Sequence, residues 1–525
     1  MTSLVQSVDW VALGPTLVVA LGSIGVLLAD LWVPPARRAA LRWPTLGVVV
    51  LAGALLVAQT DRERGTFCID AGGGLSACSF VVEPITWALQ AISLVGAAVV
   101  IMLPVRDDPG PAPGAPGRMS GRMSGRMSGR LSGRLSGEYH FLLLVSLAGA
   151  MAIAASRDVL TLVIALEVLS LPAFAMIALP AGQTREHPSA AEGALKAFLV
   201  SVVALAVMLF GAALLYGVTG TLYFDLLAGA LVAGTASTPV AAVGATLLLA
   251  GLLFKVAAVP FHGWVPDAYV GAPVRVAAFL SVVSKSGGFA GLLVVLWFGL
   301  RPYGEAWGTV LAIIAALTMT IGNLGALRQT DVVRLLAWSS IAQSGFMLVP
   351  LAAAGIATSA RGLALDGAAA TIAYLAVYAV MNLGAFAVVA VTDSLRGTTG
   401  ARTVADYTGM IRTSALAGIA LAFFLVSLAG VPPGVAGLVT KVVVLRSAVD
   451  AGLGWLAVVM AVNVVLGLAY YLRWTAVIFA IPAASPYEGG LEIRAHGRAP
   501  SVAVGLALAG GVALSIWPQA VLAVL

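Results

Sequence analysis

The residues of this 525-residue chain that could do chemistry are its lysines, because all of them lie inside long apolar segments. There are four, Lys196, Lys255, Lys285 and Lys441, whereas the 25 arginines lie at segment ends or in loops. A charge buried in a membrane is costly and usually has a function. Arg stays protonated at every accessible pH, but a desolvated Lys can release its proton near neutrality. The pattern therefore indicates a protein that moves protons.

Composition indicates which elements position these lysines. The chain is 60% hydrophobic and 10% charged, with a mean hydropathy of +1.02, which excludes a soluble globular domain. Apolar runs of about 20 residues indicate transmembrane helices, so we predict an all-α polytopic membrane protein with about fourteen spans. The predicted spans are 8–30, 43–59, 83–104, 140–156, 158–179, 191–217, 239–259, 275–299, 306–327, 336–354, 367–392, 413–448, 453–480 and 499–522.

Two of the predicted spans are interrupted by proline. The seventh continues irregularly past Pro260, and the twelfth is interrupted at Pro432 and Pro433. Proline removes a backbone hydrogen bond and breaks or kinks a helix. Because Lys255 precedes the first break and Lys441 follows the second, we predict two inverted five-helix repeats, spans 4–8 and 9–13, with broken helices 7 and 12.

The chain is predicted to divide into five parts. These are an N-terminal three-helix segment (1–104), a cytoplasmic loop (105–139), the two repeats (140–299 and 306–480) and a C-terminal helix (499–525). From Gly117 the loop reads GRMS three times and GRLS twice. Gly and Ser at half of these positions predict a flexible loop. Its arginines could touch anionic lipid, or the segment could be a plain disordered insertion.

Arginine counts predict the orientation. With the N-terminus outside, the inside loops hold 19 arginines and the outside loops hold 6. The positive-inside rule then places both termini outside, and the net charge of +6 does not indicate nucleic-acid binding. Cys68 and Cys78, with nine residues between them, fall in one outside loop, where a disulfide and two free thiols both remain open.

Glu167 and Lys196 are the candidate ionisable residues of the fifth and sixth spans. Glu167 lies far from either end of its span, where a lone carboxylate needs a partner or a proton. Lys196 lies nearer a span end, four residues after Glu192. A buried Glu167–Lys196 pair, a local Glu192–Lys196 pair and a lysine directed to the surface are all open.

Lys255 lies deep in the seventh span, five residues before Pro260. An ionisable group beside a helix break is a usual construction for an ion site near the middle of the membrane. His262 follows the break and could relay a proton, since it titrates near neutral pH. As a single histidine, it could equally be a hydrogen-bonded core residue.

Lys285 lies near the middle of the eighth span. The hydroxyls of Ser281, Ser284 and Ser286 could solvate its amine or hold ordered water. Together with Lys441 after the second break, the ionisable groups could form a polar file across the bundle. Neighbouring lysines with interacting titrations would have coupled protonation, so that a proton on one disfavours a proton on the next.

Three stretches carry a family resemblance. They are FKVAAVPFHGWVPDAYVGAPVRVAAFLSVVSKSGGFA (254–290), RQTDVVRLLAWSSIAQSGFML (328–348) and SLAGVPPGVAGLVTK (427–441). They resemble blocks of the proton-translocating, antiporter-like subunits of respiratory complex I, a likeness that covers roughly spans 3 to 13. Within that family, YVGAP before the eighth span and a lysine at 441 are typical of the N subunits.

The resemblance implies roles by position. Glu167 and Lys196 match the ion pair of the fifth and sixth helices. Lys255 matches the lysine of the first broken helix, and Lys285 matches the central lysine between half-channels. Lys441 matches the terminal lysine of the second half. The GRMS and GRLS segment departs from the family's usual pattern.

The resemblance also implies partners. We expect no cofactor on this chain, because it has no nucleotide-binding motif and no cysteine cluster. NADH, FMN, iron–sulfur clusters and quinone are expected on partner subunits of complex I, which include further antiporter-like subunits, in a bacterial inner membrane with its lipid. The alternative is a subunit of a multi-subunit cation/proton antiporter. A structural anchor without transport is a third reading, against which the embedded lysines argue.

Overall fold

The fold is a bundle of membrane-length helices with a short β-hairpin. A computed structural model describes residues 8–60, 62–70, 76–104, 121–179, 188–234, 239–357, 361–395, 402–481 and 498–517. In these residues eleven helical segments are long and apolar enough to cross a membrane, and three shorter apolar helices accompany them. The predicted helical membrane fold is confirmed, while the number of fourteen spans remains a prediction.

Three helices open the chain: α1 (Trp10–Trp32), α2 (Arg42–Val57) and α3 (Pro84–Met102). A 3-10 turn over Pro35–Leu41 joins the first two. Asp9 caps α1, because its side chain accepts hydrogen bonds from two backbone N–H groups of the first turn. Only 28% of the apolar stretch is buried in each of α1 and α2, against 67% in α3, so α1 and α2 lie at the periphery.

A β-hairpin lies between α2 and α3. Strand β1 (Arg64–Asp70) pairs antiparallel with strand β2 (Ser76–Val82), and the register sets Cys68 opposite Cys78. The two cysteines form a disulfide. The sequence analysis placed both in one outside loop but did not predict the strands.

The first half of the bundle runs from α4 to α11. The bounds are α4 Gly121–Ala155, α5 Val159–Ile177, α6 Pro188–Thr219, α7 Phe224–Val232, α8 Pro239–Lys255, α9 Trp264–Gly271, α10 Val274–Phe279 and α11 Lys285–Val294. π-helical turns over Leu280–Ser284 and Val295–Gly299 join α10 to α11 and extend α11. The predicted eighth span is therefore one helical segment, whereas the short α7 was not predicted.

Helix α4 begins inside the segment predicted as a flexible loop. The chain is helical from Gly121, so the loop prediction is wrong for residues 121–139. The sequence from Gly117 to Ala155 has no proline to stop a helix, and half of the repeat positions are helix-favouring Arg, Met and Leu. Residues 105–120 lie outside the described part of the chain.

The second half runs from α12 to α18 and is followed by α19. The bounds are α12 Gly304–Leu327, α13 Val332–Ile356, α14 Arg361–Leu395, α15 Met410–Thr413, α16 Ala415–Ala429, α17 Val435–Asp450, α18 Gly454–Phe479 and α19 Arg498–Ile516. Short 3-10 turns cover Arg301–Tyr303 and Val404–Tyr407.

Both predicted helix breaks are present. Helix α8 ends at Lys255 and α9 begins at Trp264, while α16 ends at Ala429 and α17 begins at Val435. The prolines that prompted the prediction lie in these two gaps. Broken helices 7 and 12 are therefore confirmed, and the inverted relation of the two repeats remains a prediction.

Loops meet at the two ends of the bundle. Phe80 of the hairpin forms a β-bridge with Ser156, and Asp158 forms one with Tyr223. We call the end defined by these contacts the hairpin end. At the opposite end, a bridge joins Asp331 to residue 403. The hairpin end is the one predicted to face outside, and that orientation remains a prediction.

Candidate functional site

Lys255 lies where the first broken helix stops. It is the last residue of α8 and is 7% exposed. Its Nζ donates a hydrogen bond to Ser170 Oγ on α5 at 2.6 Å and lies 5.6 Å from the centre of the Phe174 ring. Ser170 donates in turn to the carbonyl oxygen of Leu166. The ammonium is therefore held by a hydroxyl group of a neighbouring helix.

The predicted Glu167–Lys196 pair is not formed. Lys196 Nζ lies 2.6 Å from Glu192 Oε1 and 2.8 Å from Asp267 Oδ2. Glu167 is half-buried on α5 and makes no ion pair in the described part of the chain. The side chain of Lys196 is 46% exposed, and pairing near water avoids the desolvation of a buried ion pair. Of the three alternatives, the structure therefore shows the local Glu192–Lys196 pair and a lysine directed to the surface.

Asp267 was missed by the sequence analysis. It lies in the first turn of α9, directly after the first break. Its Oδ1 lies 3.3 Å from Arg334 Nη1 on α13, so one carboxylate joins the first half of the bundle to the second. We call Glu192, Lys196, Asp267 and Arg334 the inner ion cluster. A carboxylate just past a predicted helix break was the signal that could have identified it.

Lys285 is held by the second half of the bundle. It is 3% exposed, and its Nζ donates to the carbonyl oxygen of Ser340 and to Ser344 Oγ at 2.7 Å. The ring of Tyr378 lies 5.3 Å from the same Nζ, and the Tyr378 hydroxyl donates to Ser340 Oγ at 2.9 Å. Among the described residues, both acceptors of the ammonium therefore lie on α13.

The serines beside Lys285 on its own helix make other contacts. Ser281 Oγ accepts a hydrogen bond from α14 at 2.8 Å, and Ser286 Oγ lies 2.8 Å from Ser93 Oγ on α3. The π-turn over Leu280–Ser284 widens the helix directly before Lys285. The described hydrogen bonds of Lys285 do not include these serines, so the prediction that Ser281 and Ser286 solvate the amine directly is wrong, while the alternative that they hold ordered water remains a prediction.

Lys441 is held by the end of its own broken helix. Its Nζ donates to the carbonyl oxygens of Leu428 at 2.9 Å and Ala429 at 2.6 Å, the last residues of α16. Carbonyl groups at a helix C-terminus lack intrahelical partners and carry partial negative charge. The residue is 7% exposed, and the Phe346 ring lies 5.3 Å from the ammonium.

Gln343 connects the site of Lys441 to a tyrosine network. Its Nε2 donates to the carbonyl oxygen of Leu428 at 3.4 Å, the same atom that accepts from Lys441. Its Oε1 accepts from the Tyr374 hydroxyl at 2.6 Å, and its Nε2 also donates to the Tyr471 hydroxyl at 3.3 Å. Helix α13 thus contacts the sites of two buried lysines.

The sequence analysis did not single out the polar residues of α13. They interrupt an otherwise apolar span in the stretch WSSIAQSGF (338–346), which was the signal available. The participating residues are Ser339, Ser340, Gln343 and Ser344.

Lys255, Lys285 and Lys441 share one electrostatic property. Their ammonium groups donate to hydroxyl or carbonyl oxygens, and none forms a salt bridge within the described residues. The described residues also contain no group of three or more His, Cys, Asp or Glu side chains arranged to hold a metal ion. The arrangement can bind, hold and release protons.

His262 lies between α8 and α9. Its ring is half-buried and meets the Trp338 ring edge-on, with 5.7 Å between ring centres. Its Nδ1 is buried and has no hydrogen-bond partner among the described residues. No described contact joins it to a lysine, so a relay through His262 remains a prediction.

Sequence comparison relates the chain to known membrane subunits. The family described as "NADH:quinone oxidoreductase/Mrp antiporter, TM" matches residues 156–467. NADH-quinone oxidoreductase subunit N 2 of Streptomyces griseus is 45% identical, over 99% of this chain and 94% of the relative. NADH-quinone oxidoreductase subunit N of Salinispora tropica is 41% identical, over 93% of this chain and 88% of the relative.

Solved structures show the same fold. A chain of respiratory complex I from Thermus thermophilus superposes with a TM-score of 0.72 at 29% identity, covering 97% of this chain and 98% of that one. A chain of the Mrp complex from Dietzia superposes with a TM-score of 0.75 at 20% identity, covering 98% and 96%, which shows the fold alone. The chain therefore belongs to the family of antiporter-like membrane subunits of NADH:quinone oxidoreductase and Mrp antiporters, and it is similar to the N subunits of NADH-quinone oxidoreductase.

Proposed function

We propose that this chain translocates protons within an NADH:quinone oxidoreductase, using Glu167, Lys196, Lys255, Lys285 and Lys441 as a file of proton sites. One observation carries the proposal: three of these lysines are buried with neutral hydrogen-bond acceptors only. A buried ammonium without a counter-charge is costly, and loss of its proton removes that cost. Each site can then exist with or without a proton.

The first part of the file lies on α5 and α8. Lys255 donates to Ser170, which stands one helical turn after Glu167 on the same helix. A proton released by Lys255 would pass to Glu167 through water, while His262 beside the break would relay protons to the same region. Lys196 lies at the end opposite the hairpin, where the inner ion cluster would admit protons.

The second part of the file follows α13. A hydroxyl group both donates and accepts hydrogen bonds. Ser344 accepts from Lys285 and donates to the carbonyl oxygen of Ser340, so it would receive a proton from Lys285 and give its own to water after its O–H bond rotates. Gln343 and the Leu428 carbonyl lie between this region and Lys441. Helix α13 would therefore order the water that carries a proton between the two lysines.

The redox chemistry is proposed to occur on partner subunits. The relatives are named as N subunits of an NADH-quinone oxidoreductase, and this sequence has neither a nucleotide-binding motif nor a cysteine cluster. NADH, FMN, the iron–sulfur clusters and quinone would bind elsewhere in the assembly. Redox changes there would reach this chain as changes in protonation and conformation.

Substitution of the central lysines tests the proposal. The complex carrying Lys255→Ala or Lys285→Ala is reconstituted in proteoliposomes, and protons moved per NADH oxidised are measured. Both variants should lower that ratio, and Lys285→Arg should lower it too, because Arg keeps its proton. Arg446→Ala serves as a control, since Arg446 is an 81% exposed cation on α17. An unchanged ratio in both alanine variants would falsify the proposal.

Native purification tests the assembly. The likeness to the Mrp complex at 20% identity shows a shared fold, so the fold of this chain does not distinguish the two alternatives. They differ in the subunits expected to assemble with it. Flavin and iron–sulfur subunits that co-purify from native membranes support the oxidoreductase. A complex of small antiporter subunits without flavin or iron would support the alternative.

A further inference from the structure

A row of buried polar residues runs along one face of α3. Thr86, Gln90 and Ser93 are 0%, 1% and 1% exposed. They follow Glu83 at intervals of three, four and three residues, a spacing that places all four on one helix face. We call Thr86, Gln90 and Ser93 the α3 polar row. The proton sites proposed above do not include it.

An ion pair covers the end of the row at the hairpin end of the bundle. Glu83 Oε1 lies 2.7 Å from Arg157 Nη2, and the same nitrogen donates to Thr86 Oγ1 at 3.3 Å. Arg157 is 3% exposed and stacks on the Phe298 ring, 4.2 Å from its centre. Burial raises the pKa of the Glu83 carboxyl, and the Arg157 guanidinium acts in the opposite direction.

The middle of the row is only partly satisfied by hydrogen bonds. Gln90 Nε2 donates to the carbonyl oxygen of Met151 at 2.9 Å, and Thr86 Oγ1 donates to that of Ala154 at 3.1 Å. Gln90 Oε1 is buried and has no hydrogen-bond partner in the described ranges. A buried acceptor without a partner is destabilising, so helix packing alone does not account for Gln90.

The end of the row that lies deepest in the bundle, at Ser93, contacts the helix of Lys285. Ser93 Oγ lies 2.8 Å from Ser286 Oγ, and Ser286 is the next residue after Lys285. Ser93 lies ten positions after Glu83. At a rise of 1.5 Å per residue this is roughly 15 Å, half the thickness of a hydrocarbon core of roughly 30 Å. Glu83 and the α3 polar row together therefore extend over about half of such a thickness.

We propose that the α3 polar row carries water between the hairpin end and the helix of Lys285, with the Glu83–Arg157 pair as its outer closure. The row would give the central lysine a route to the outside, which rests on the proposed function. Hydroxyl and amide groups also join membrane helices without carrying water. The two roles differ in whether a small polar molecule can reach Gln90.

Cysteine accessibility distinguishes the two roles. Both native cysteines form a disulfide, so an introduced thiol is the only free thiol of this chain when no reductant is present, and its labelling is read on this chain after the subunits are separated. Gln90→Cys and Ser93→Cys are treated, in the assembled complex in sealed membranes, with a cationic, membrane-impermeant methanethiosulfonate. Leu89→Cys is the matched control, because Leu89 adjoins Gln90 at the same depth and is 1% exposed.

We expect both row variants to react at least about tenfold faster than Leu89→Cys from the hairpin end, since a thiol in apolar surroundings rarely ionises and only the thiolate reacts. Glu83→Gln should speed the reaction of Gln90→Cys further by weakening the outer closure. Equal rates for Gln90→Cys and Leu89→Cys would overturn the water path. Ser93→Cys exchanges one oxygen for sulfur, so it keeps the test valid if Gln90→Cys does not assemble.

The labelling experiment and the pumping experiment can fail independently of each other. Slow labelling, together with pumping that depends on Lys285, overturns the α3 polar row alone. Fast labelling, together with full pumping in Lys285→Ala, supports the water path and overturns the lysine file.

Discussion

The two broken helices hold their lysines in different ways. Lys255 ends its helical segment and donates to the side chain of Ser170 on another helix. Lys441 follows its break and donates to the carbonyl oxygens of Leu428 and Ala429, at the end of α16. The first site therefore depends on a side chain that one substitution removes. The second depends on backbone atoms that no substitution removes.

The two breaks also differ in how closely their backbones are packed. A Cβ atom on Gly437, just after the second break, would lie 1.8 Å from the carbonyl oxygen of Ser427, and one on Gly434 would lie 2.1 Å from Ser427 Oγ. A Cβ atom on Gly263, the last residue of the first break, would meet no heavy atom within 4 Å. The second break is packed tightly at these two glycines, whereas the first break leaves open space beside Gly263.

The largest expected effect is on stability at the second break. Gly437→Ala should destabilise the protein by about 1–3 kcal/mol or prevent assembly, because the new methyl group meets a backbone atom of α16 that cannot rotate away. Gly263→Ala is the matched control and should leave stability nearly unchanged. Thermal unfolding of the purified complex measures both. Equal losses in the two variants would show that the breaks are packed alike.

The second-largest expected effect is on the rate of proton pumping and concerns the first break. Ser170→Ala removes the hydroxyl acceptor of Lys255 and should slow proton pumping roughly tenfold, since a hydrogen bond to a charged group is worth about 1.5–3 kcal/mol. Ser146→Ala is the control, because Ser146 is buried on α4 and donates to the carbonyl oxygen of Leu169 without touching a lysine. Initial rates of proton uptake into proteoliposomes measure the difference.

Ser170→Thr should restore most of the pumping lost in Ser170→Ala, because it returns the hydroxyl group. If Ser146→Ala slows pumping as much as Ser170→Ala, then loose packing around α5 explains both, and the Ser170–Lys255 hydrogen bond has no separate role. No side-chain substitution can remove the acceptors of Lys441 in the same way, because they are backbone carbonyl oxygens. The two lysine sites therefore differ in whether a single substitution can remove the acceptor.

The sequence predicted those features that depend on one segment at a time. Apolar length predicted the spans, and the prolines at 260, 432 and 433 predicted the breaks, because each acts on its own helix. The depth of Lys255, Lys285 and Lys441 also followed from position within a span. The family resemblance then assigned roles that composition could not.

Contacts between helices could not be predicted in this way. Lys196 pairs with its neighbour Glu192, as one of the alternatives from the sequence had it, but its second partner proved to be Asp267, which lies 71 positions further along the chain. The described acceptors of Lys285 proved to be Ser340 and Ser344 of α13, which lie 55 and 59 positions further along the chain. Which residues meet across a bundle depends on helix rotation and depth, and one sequence does not specify either.

The smallest expected effect lies in the inner ion cluster. Lys196 and Arg334 are 46% and 40% exposed, so water and salt screen their attraction to Asp267. Asp267→Asn should therefore leave the melting temperature of the complex almost unchanged, and the change should be smallest at high ionic strength. Glu83→Gln is the contrasting variant, because it breaks a pair whose arginine is 3% exposed.

Loss of one partner from a buried pair leaves an uncompensated charge, so Glu83→Gln should lower the melting temperature more than Asp267→Asn. The opposite order would mean that the inner ion cluster, which joins α6, α9 and α13, holds the two halves together. In that case Asp267 would mainly hold the two halves of the bundle together. The exposed position of Lys196 would then serve this ion pairing and not the entry of protons.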